Sequence, residues 1–292
     1  MADIKNIAII GAGQMGCGIA HVFALAGYRV LLNDINAAQL SAGLAIIEKN
    51  LARQVASEKI TQSAFDAALA LISTHSELAA LADADLVIEA ASEDENIKLQ
   101  ILEAVSALVS DDTLLASNTS SISITRLAAQ TRHPENFIGM HFMNPVPVMQ
   151  LVELIRGMAT SDESFETAHA IVQKLGKTAA VSEDYPAFIV NRILLPMINE
   201  AAFALYEGVG TVASIDEAMQ LGANHRMGPL QLADFIGLDT CVSIMRVLQD
   251  GLGDDKYRPC PLLVKYVEAG WLGRKSGRGF YDYGGDSPIP TR

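Results

Sequence analysis

Ile7-Ala8-Ile9-Ile10-Gly11-Ala12-Gly13-Gln14-Met15-Gly16, followed one helix-length later by Arg29-Val30-Leu31-Leu32-Asn33-Asp34, decides the fold of this chain. Ile7 to Ile10 form an apolar run suited to a buried parallel strand. The glycines that follow permit a tight turn and a close backbone approach to a pyrophosphate. Residues 15–27 have helical character, and the N-terminus of that helix faces the anion. Residues 29–33 read as a second strand that delivers Asp34 to its tip. A carboxylate there accepts hydrogen bonds from a ribose 2′-hydroxyl and repels a 2′-phosphate, so the pattern predicts NAD rather than NADP. Gly11, Gly13, Gln14, Met15, Gly16 and Asp34 are the cofactor-binding candidates of this stretch. A lone GxGxxG carries little weight, and the strand and helix around it supply its meaning.

Outward from this unit the first half alternates strand and helix signals. Residues 37–51 have helical spacing, and helical character continues over 53–71 with polar interruptions. Short apolar runs at 84–90, 113–117, 137–140, 150–155 and 178–181 read as strands, with helices at 97–108, 124–129 and 164–175. Such alternation predicts a largely parallel sheet covered on both faces. The pattern changes at Tyr185-Pro186. Beyond it, to about residue 270, the periodicity is helical, with Gly and Pro as punctuation. The expected fold is therefore α/β, an N-terminal Rossmann-type doubly wound sheet over 1–185 followed by a smaller all-α domain over 186–292. The tail 284–292 is small and polar, and its composition predicts mobility.

At 292 residues and half hydrophobic, the chain has material for two domains. Its net charge of -13 argues against nucleic acid as a partner. Cys17, Cys241 and Cys260 are too few and too scattered for a disulfide framework or a zinc site, so no metal is expected. Met1-Ala2-Asp3-Ile4-Lys5 carries no signal-peptide pattern and leads straight into the first strand. The longest apolar stretch, 188–205, contains Asn191, Arg192, Asn199, Glu200 and Pro196, which suits a buried amphipathic helix better than a membrane span. These features predict a cytoplasmic protein without a membrane partner.

Two polar segments stand at strand ends, where open α/β sheets bind ligands. The first is Ser117-Asn118-Thr119-Ser120-Ser121, for which an ordinary turn or helix cap is an equally good local reading. The second is Met140-His141-Phe142-Met143-Asn144-Pro145. A hairpin-like return over the following strand brings Glu153 beside His141. A carboxylate there fixes the imidazole tautomer and suits the ring to proton transfer at a substrate oxygen. On local pattern alone, a core histidine bonded to backbone competes with this reading. The remaining histidines have no such partner and read as structural.

Taken in order, Gly11 to Gly16, Val87-Ile88-Glu89-Ala90, residues 116–121, residues 140–145, Phe188-Ile189-Val190-Asn191-Arg192, Leu221-Gly222-Ala223-Asn224-His225 and residues 270–281 make the chain resemble the L-3-hydroxyacyl-CoA dehydrogenase family, in particular its bacterial 3-hydroxybutyryl-CoA branch. The resemblance runs from Ile7 to Tyr283. It implies NAD-dependent, reversible oxidation of a short-chain L-3-hydroxyacyl-CoA to the 3-ketoacyl-CoA. By the same resemblance His141 is the general acid/base and Glu153 its partner, while Ser120 and Asn191 hold the substrate. Asn144, Glu93, Lys98, Ser120 and Lys275 lie along the cofactor. The family also implies a homodimer formed through the helical domain, with substrate in the interdomain cleft.

The chain departs from the family pattern in places. Met143 stands for a usual Phe, Tyr185-Pro186-Ala187-Phe188 for a Pro-Gly-Phe entry, and Arg226 for a Pro. Where relatives place a hydroxyl and lysines toward CoA phosphates, this chain has Asn50, Ser57, Arg53 and Lys59, of which Arg53 is the substrate-binding candidate. Arg226 raises the alternative of a 3-hydroxyadipyl-CoA substrate. Two further alternatives are a CoA-independent hydroxy-acid dehydrogenase and a silent NAD-binding protein; joint retention of Ser120, His141, Glu153 and Asn191 speaks against the latter.

Overall fold

The structure, a computed structural model, describes residues 4–292; the N-terminal signal reading falls partly on residues 1–3, outside the described residues. The chain divides into two compact units, one closing at Tyr185 and the other spanning Pro186–Arg292.

In the first unit the elements run β1 (Asn6–Ile10), α1 (Gln14–Leu25), β2 (Arg29–Asn33), α2 (Ala37–Ala56), α3 (Gln62–Ala70), β3 (Ile72–His75), β4 (Leu86–Glu89) and α4 (Glu95–Leu108). They continue through β5 (Leu114–Ser117), α5 (Ile124–Ala128), β6 (Phe137–Phe142), β7 (Leu151–Arg156), α6 (Asp162–Lys174) and β8 (Thr178–Glu183). The eight strands form one sheet in the order β3-β2-β1-β4-β5-β6-β7-β8. Strands β1 to β6 are mutually parallel, β7 runs antiparallel to β6, and β8 is parallel to β7. The order reverses between β1 and β4, which opens a crevice at their carboxyl ends.

Strand periodicity explains why both faces are covered. Ile7, Ile9, Leu32, Ile88, Ala116 and Met140 join one core with Ile19 and Phe23 of α1 and Ile171 of α6. The alternate residues Ala8, Val87 and Leu115 turn to the other face and are buried too. Side chains cap the helices: Asn36 starts α2, Thr61 α3, Asp94 α4, Ser123 α5 and Ser161 α6.

The structure adds detail to three of these readings. The helical stretch over 53–71 is interrupted. α2 stops at Ala56, Glu58 adopts φ +57°, and Thr61 caps a fresh helix. β3 follows in a stretch with no strand reading, because Ile72-Ser73-Thr74-His75 is a mostly exposed edge strand that lacks the apolar signature of its buried neighbours. The tail is not loose. Ile289–Pro290 pairs with Tyr281–Asp282, and the Thr291 N–H donates to the Phe280 carbonyl at 2.9 Å.

The second unit is built of α7 (Val190–Tyr206), α8 (Val212–Gly222), α9 (Pro229–Ile236), α10 (Leu238–Leu252) and α11 (Pro261–Glu268), closed by the short ladder of β9 (Tyr281–Asp282) and β10 (Ile289–Pro290). Its core joins Leu195, Ile198 and Ala202 of α7 to Leu230, Leu238, Met245, Leu263 and Phe280. Two buried aspartates tie the C-terminal segment down. Asp216 accepts the N–H groups of Leu230 and Gln231 and the Tyr281 hydroxyl at 2.8–2.9 Å. Asp234 accepts the N–H groups of Phe280 and Tyr281 and the Tyr283 hydroxyl.

Candidate active site

The carboxyl end of β1 leads into Gly11, whose φ of +104° and tight fit against the Ala90 carbonyl, 2.6 Å from where a Cβ would sit, exclude a side chain. Gly16 is still more confined, because a Cβ there would meet the Gly11 carbonyl oxygen at 1.8 Å. Gly13 differs from both. Nothing lies within 4 Å of its Cβ position, so its lack of a side chain leaves open space in front of α1. Gly13 is also the N-cap of α1 and supplies no side-chain acceptor, unlike the caps of α2 to α6. Unpaired N–H groups and open space at a helix N-terminus suit a pyrophosphate. Gln14 and Met15 form the first turn, and the Gln14 side-chain amide donates to Asn144 Oδ1 at 3.0 Å.

Asp34, just past β2, is already engaged by the backbone. Its carboxylate accepts the Ala12 N–H and the Asn36 N–H, each at 2.9 Å. Gln39 grips the same residue through its other backbone group by donating to the Ala12 carbonyl at 2.9 Å. Asp34 therefore shapes the glycine turn.

His141 and Glu153 are direct register partners in the antiparallel β6–β7 pair. Direct partners on a shared face bring their side chains together, and His141 Nδ1 lies 2.7 Å from Glu153 Oε2. Glu153 is fully buried and the His141 side chain nearly so. Nδ1 is thereby engaged by a buried carboxylate. Asn118 locks the neighbouring strand end by accepting the Phe142 N–H at 2.9 Å.

Ser120 belongs to the turn after β5 and is held by Glu93. One Glu93 oxygen accepts the Thr119 hydroxyl at 2.6 Å, the Ser120 N–H at 2.7 Å and the Ser120 hydroxyl at 3.0 Å. Partial burial works to raise the Glu93 carboxyl, but the Lys98 charge and these hydrogen bonds outweigh it and hold Glu93 below the usual carboxylate range. Lys98 is no surface lysine. It is 1% exposed, with its ammonium 2.8 Å from Glu89 and 3.3 Å from Glu93. In the sequence Glu89 stands only as the end of a strand motif, with no role attached to it. The available signal was a carboxylate at the end of an otherwise wholly apolar strand.

Three candidates remain. Arg53 is exposed in the last turn of α2. In the second unit, Asn191 occupies the first turn of α7, and Lys275 pairs with Asp239 at 2.6 Å. No group of three metal-ligating side chains occurs among the described residues.

Comparison with known proteins accords with this geometry. Residues 6–185 match the family model for the 3-hydroxyacyl-CoA dehydrogenase NAD binding domain, and residues 188–283 match that for the 3-hydroxyacyl-CoA dehydrogenase C-terminal domain. A 3-hydroxybutyryl-CoA dehydrogenase of Bradyrhizobium diazoefficiens is 64% identical over 100% of this chain and 99% of its own length. A probable 3-hydroxybutyryl-CoA dehydrogenase of Bacillus subtilis is 54% identical over 96% of this chain and 98% of its own. The crystal structure of (S)-3-hydroxybutyryl-CoA dehydrogenase from Ralstonia eutropha superposes with a TM-score of 0.94 at 48% identity, covering 97% of this chain and all of that one.

Proposed function

The chain belongs to the 3-hydroxyacyl-CoA dehydrogenase family and is an NAD-dependent oxidoreductase; from that premise we propose that it interconverts short-chain L-3-hydroxyacyl-CoA and 3-ketoacyl-CoA, with 3-hydroxybutyryl-CoA and acetoacetyl-CoA as the favoured pair. The substrate class named for its relatives supports this, and the His141–Glu153 contact of 2.7 Å is the observation that carries the chemistry.

NAD, when bound along the Gly11–Gly16 turn and Asp34, supplies the hydride acceptor; the protein supplies alignment and proton management. His141 takes the proton of the 3-hydroxyl on Nε2 in the oxidative direction and returns one to the 3-oxygen in the reductive direction. Glu153 fixes the ring tautomer and stabilises the imidazolium, as an acceptor fixed beside the developing charge does. Ser120 and Asn191 hold the substrate, Asn144 and Lys275 serve the cofactor, and Arg53 meets a CoA phosphate.

We assign dimerisation to the second unit, which keeps large apolar side chains on its surface. Ile193 is 68%, Val209 77% and Leu221 87% exposed in the isolated chain. Unpaired Cys17, Cys241 and Cys260 support residence in a reducing compartment such as the cytoplasm, and no helix among the described residues is long and apolar enough to cross a membrane.

The deciding experiment follows loss of NADH absorbance with acetoacetyl-CoA beside free acetoacetate. Turnover confined to the thioester is the expected result. Equal turnover of the free acid would overturn the CoA reading.

A further inference from the structure

Lys98 and Glu89 are 1% and 0% exposed, and their charges face each other at 2.8 Å inside the first unit. Fully buried charges are rare. An apolar pair of similar volume often stabilises a fold as well or better, so stability alone is a weak reason for keeping one.

Glu89 ends β4, whose chain continues into Ala90 against Gly11. One of its oxygens accepts from the Lys98 ammonium at 2.8 Å and the Ala91 N–H at 2.7 Å; the other accepts from Lys98 at 3.0 Å and the Ser117 hydroxyl at 2.6 Å. The ammonium also lies 3.4 Å from the Ala91 carbonyl and 3.3 Å from Glu93. Four protein oxygens thus surround it. Glu93 in turn holds the backbone and hydroxyl of Ser120. Contacts therefore run unbroken from Glu89 through Lys98 and Glu93 to Ser120, and they tie the loops after β4 and β5 together.

We propose that Glu89 is a positioning residue of the cofactor site, which acts by holding the Lys98 ammonium and, through it, Glu93. This rests on the reading of the glycine turn, Glu93 and Ser120 as that site. Electrostatics and positioning predict opposite signs here. Glu89 is a negative charge close to where an anionic dinucleotide binds, so its neutralisation by itself tightens binding. Loss of a positioning residue loosens it.

The test is Glu89→Gln, with NADH affinity measured by fluorescence titration and kcat measured with acetoacetyl-CoA. The expected result is several-fold weaker NADH binding and a kcat lower by up to about a hundredfold, the scale of a small misplacement of reacting groups. Where the single variant folds poorly, Glu89→Gln/Lys98→Met removes both charges and regains thermal stability. Its NADH affinity is expected to stay weak and to decline further as pH falls from 7 toward 4, because Glu93 has lost the ammonium that keeps it ionised. Unchanged or tighter NADH binding by Glu89→Gln overturns the proposal, as does a double variant with wild-type affinity and a flat pH profile. Wild-type protein that binds no NADH removes the cofactor reading itself, and the proposal with it.

Discussion

Gly13 and Gly16 share a motif but meet different constraints, and the difference is measurable. Gly16 has no room for a methyl group, since its Cβ position is 1.8 Å from the Gly11 carbonyl oxygen; Gly13 has nothing within 4 Å. Gly16→Ala is therefore expected to lower the thermal midpoint and abolish NADH binding together. Gly13→Ala is expected to keep the wild-type midpoint and lose only cofactor affinity. A Gly13→Ala protein as unstable as Gly16→Ala would contradict the open-space reading. At His141, replacement by Ala is expected to lower kcat by about a hundredfold or more while NADH titration changes little, as befits a general acid/base. Glu153→Gln is expected to give a smaller loss, since it keeps a side chain of similar shape beside Nδ1 without the charge.

Between elements, the connection that carries Asn144 is fixed from outside itself. The Lys177 ammonium, just before β8, donates to the carbonyls of Val146 and Met149, each at 2.7 Å. Gly18 of α1 packs directly under Val146. The loop from β6 to β7 is thereby clamped between the next strand and the cofactor helix. Removing the clamp with Lys177→Met is expected to cost about 2 kcal/mol, the scale of hydrogen bonds from a charged donor, in urea unfolding. Faster amide exchange confined to residues 146–149 would localise the effect; exchange spread evenly over the unit would refute the clamp. β3 shows the converse. Its exposed ISTH sequence carries little strand signal, and pairing with β2 alone makes it a strand.

At the level of the whole molecule, charge and assembly give two further expectations. Asp234 is 1% exposed, and burial pushes its carboxyl up to about 6 despite three hydrogen-bond donors. The folded protein therefore holds this proton between about pH 4 and about pH 6, where the unfolded chain has released it. This group's contribution to stability falls as pH rises through that window, by at most about 3 kcal/mol. Asp234→Asn should flatten the pH dependence of the second unit's unfolding between pH 4 and 6 relative to wild type; parallel profiles would show that Asp234 stays ionised. For assembly, sedimentation should give twice the 31.2 kDa chain mass, with Ile193→Asp shifting the population toward the monomer. A wild-type chain that sediments as a monomer at every concentration would remove the dimer proposal.

The sheet's central strands, the glycine turn and the change to helices after Tyr185 were legible in the sequence because each rests on local chemistry: apolar runs, glycine geometry and helical period. The meeting of His141 with Glu153 was legible only as one of two readings, because register across a strand pair is set by the whole sheet and not by either strand. Lys98 shows the limit most plainly. At the start of a helix it reads as an ordinary surface residue, and nothing adjacent to it in the chain says otherwise. Its burial depends on Glu89, Glu93 and the loops after two separate strands, which come together only when β4 and β5 lie side by side. The tail is a similar case, since its polar composition predicts freedom and its partner, Tyr281–Asp282, is identified by the fold alone. The sequence by itself determined most of the elements, β3 excepted, and which family they compose, since both follow from neighbours in the chain. The tertiary structure decided which charges are buried and what each of them holds, because desolvation and pairing are properties of distant residues brought together.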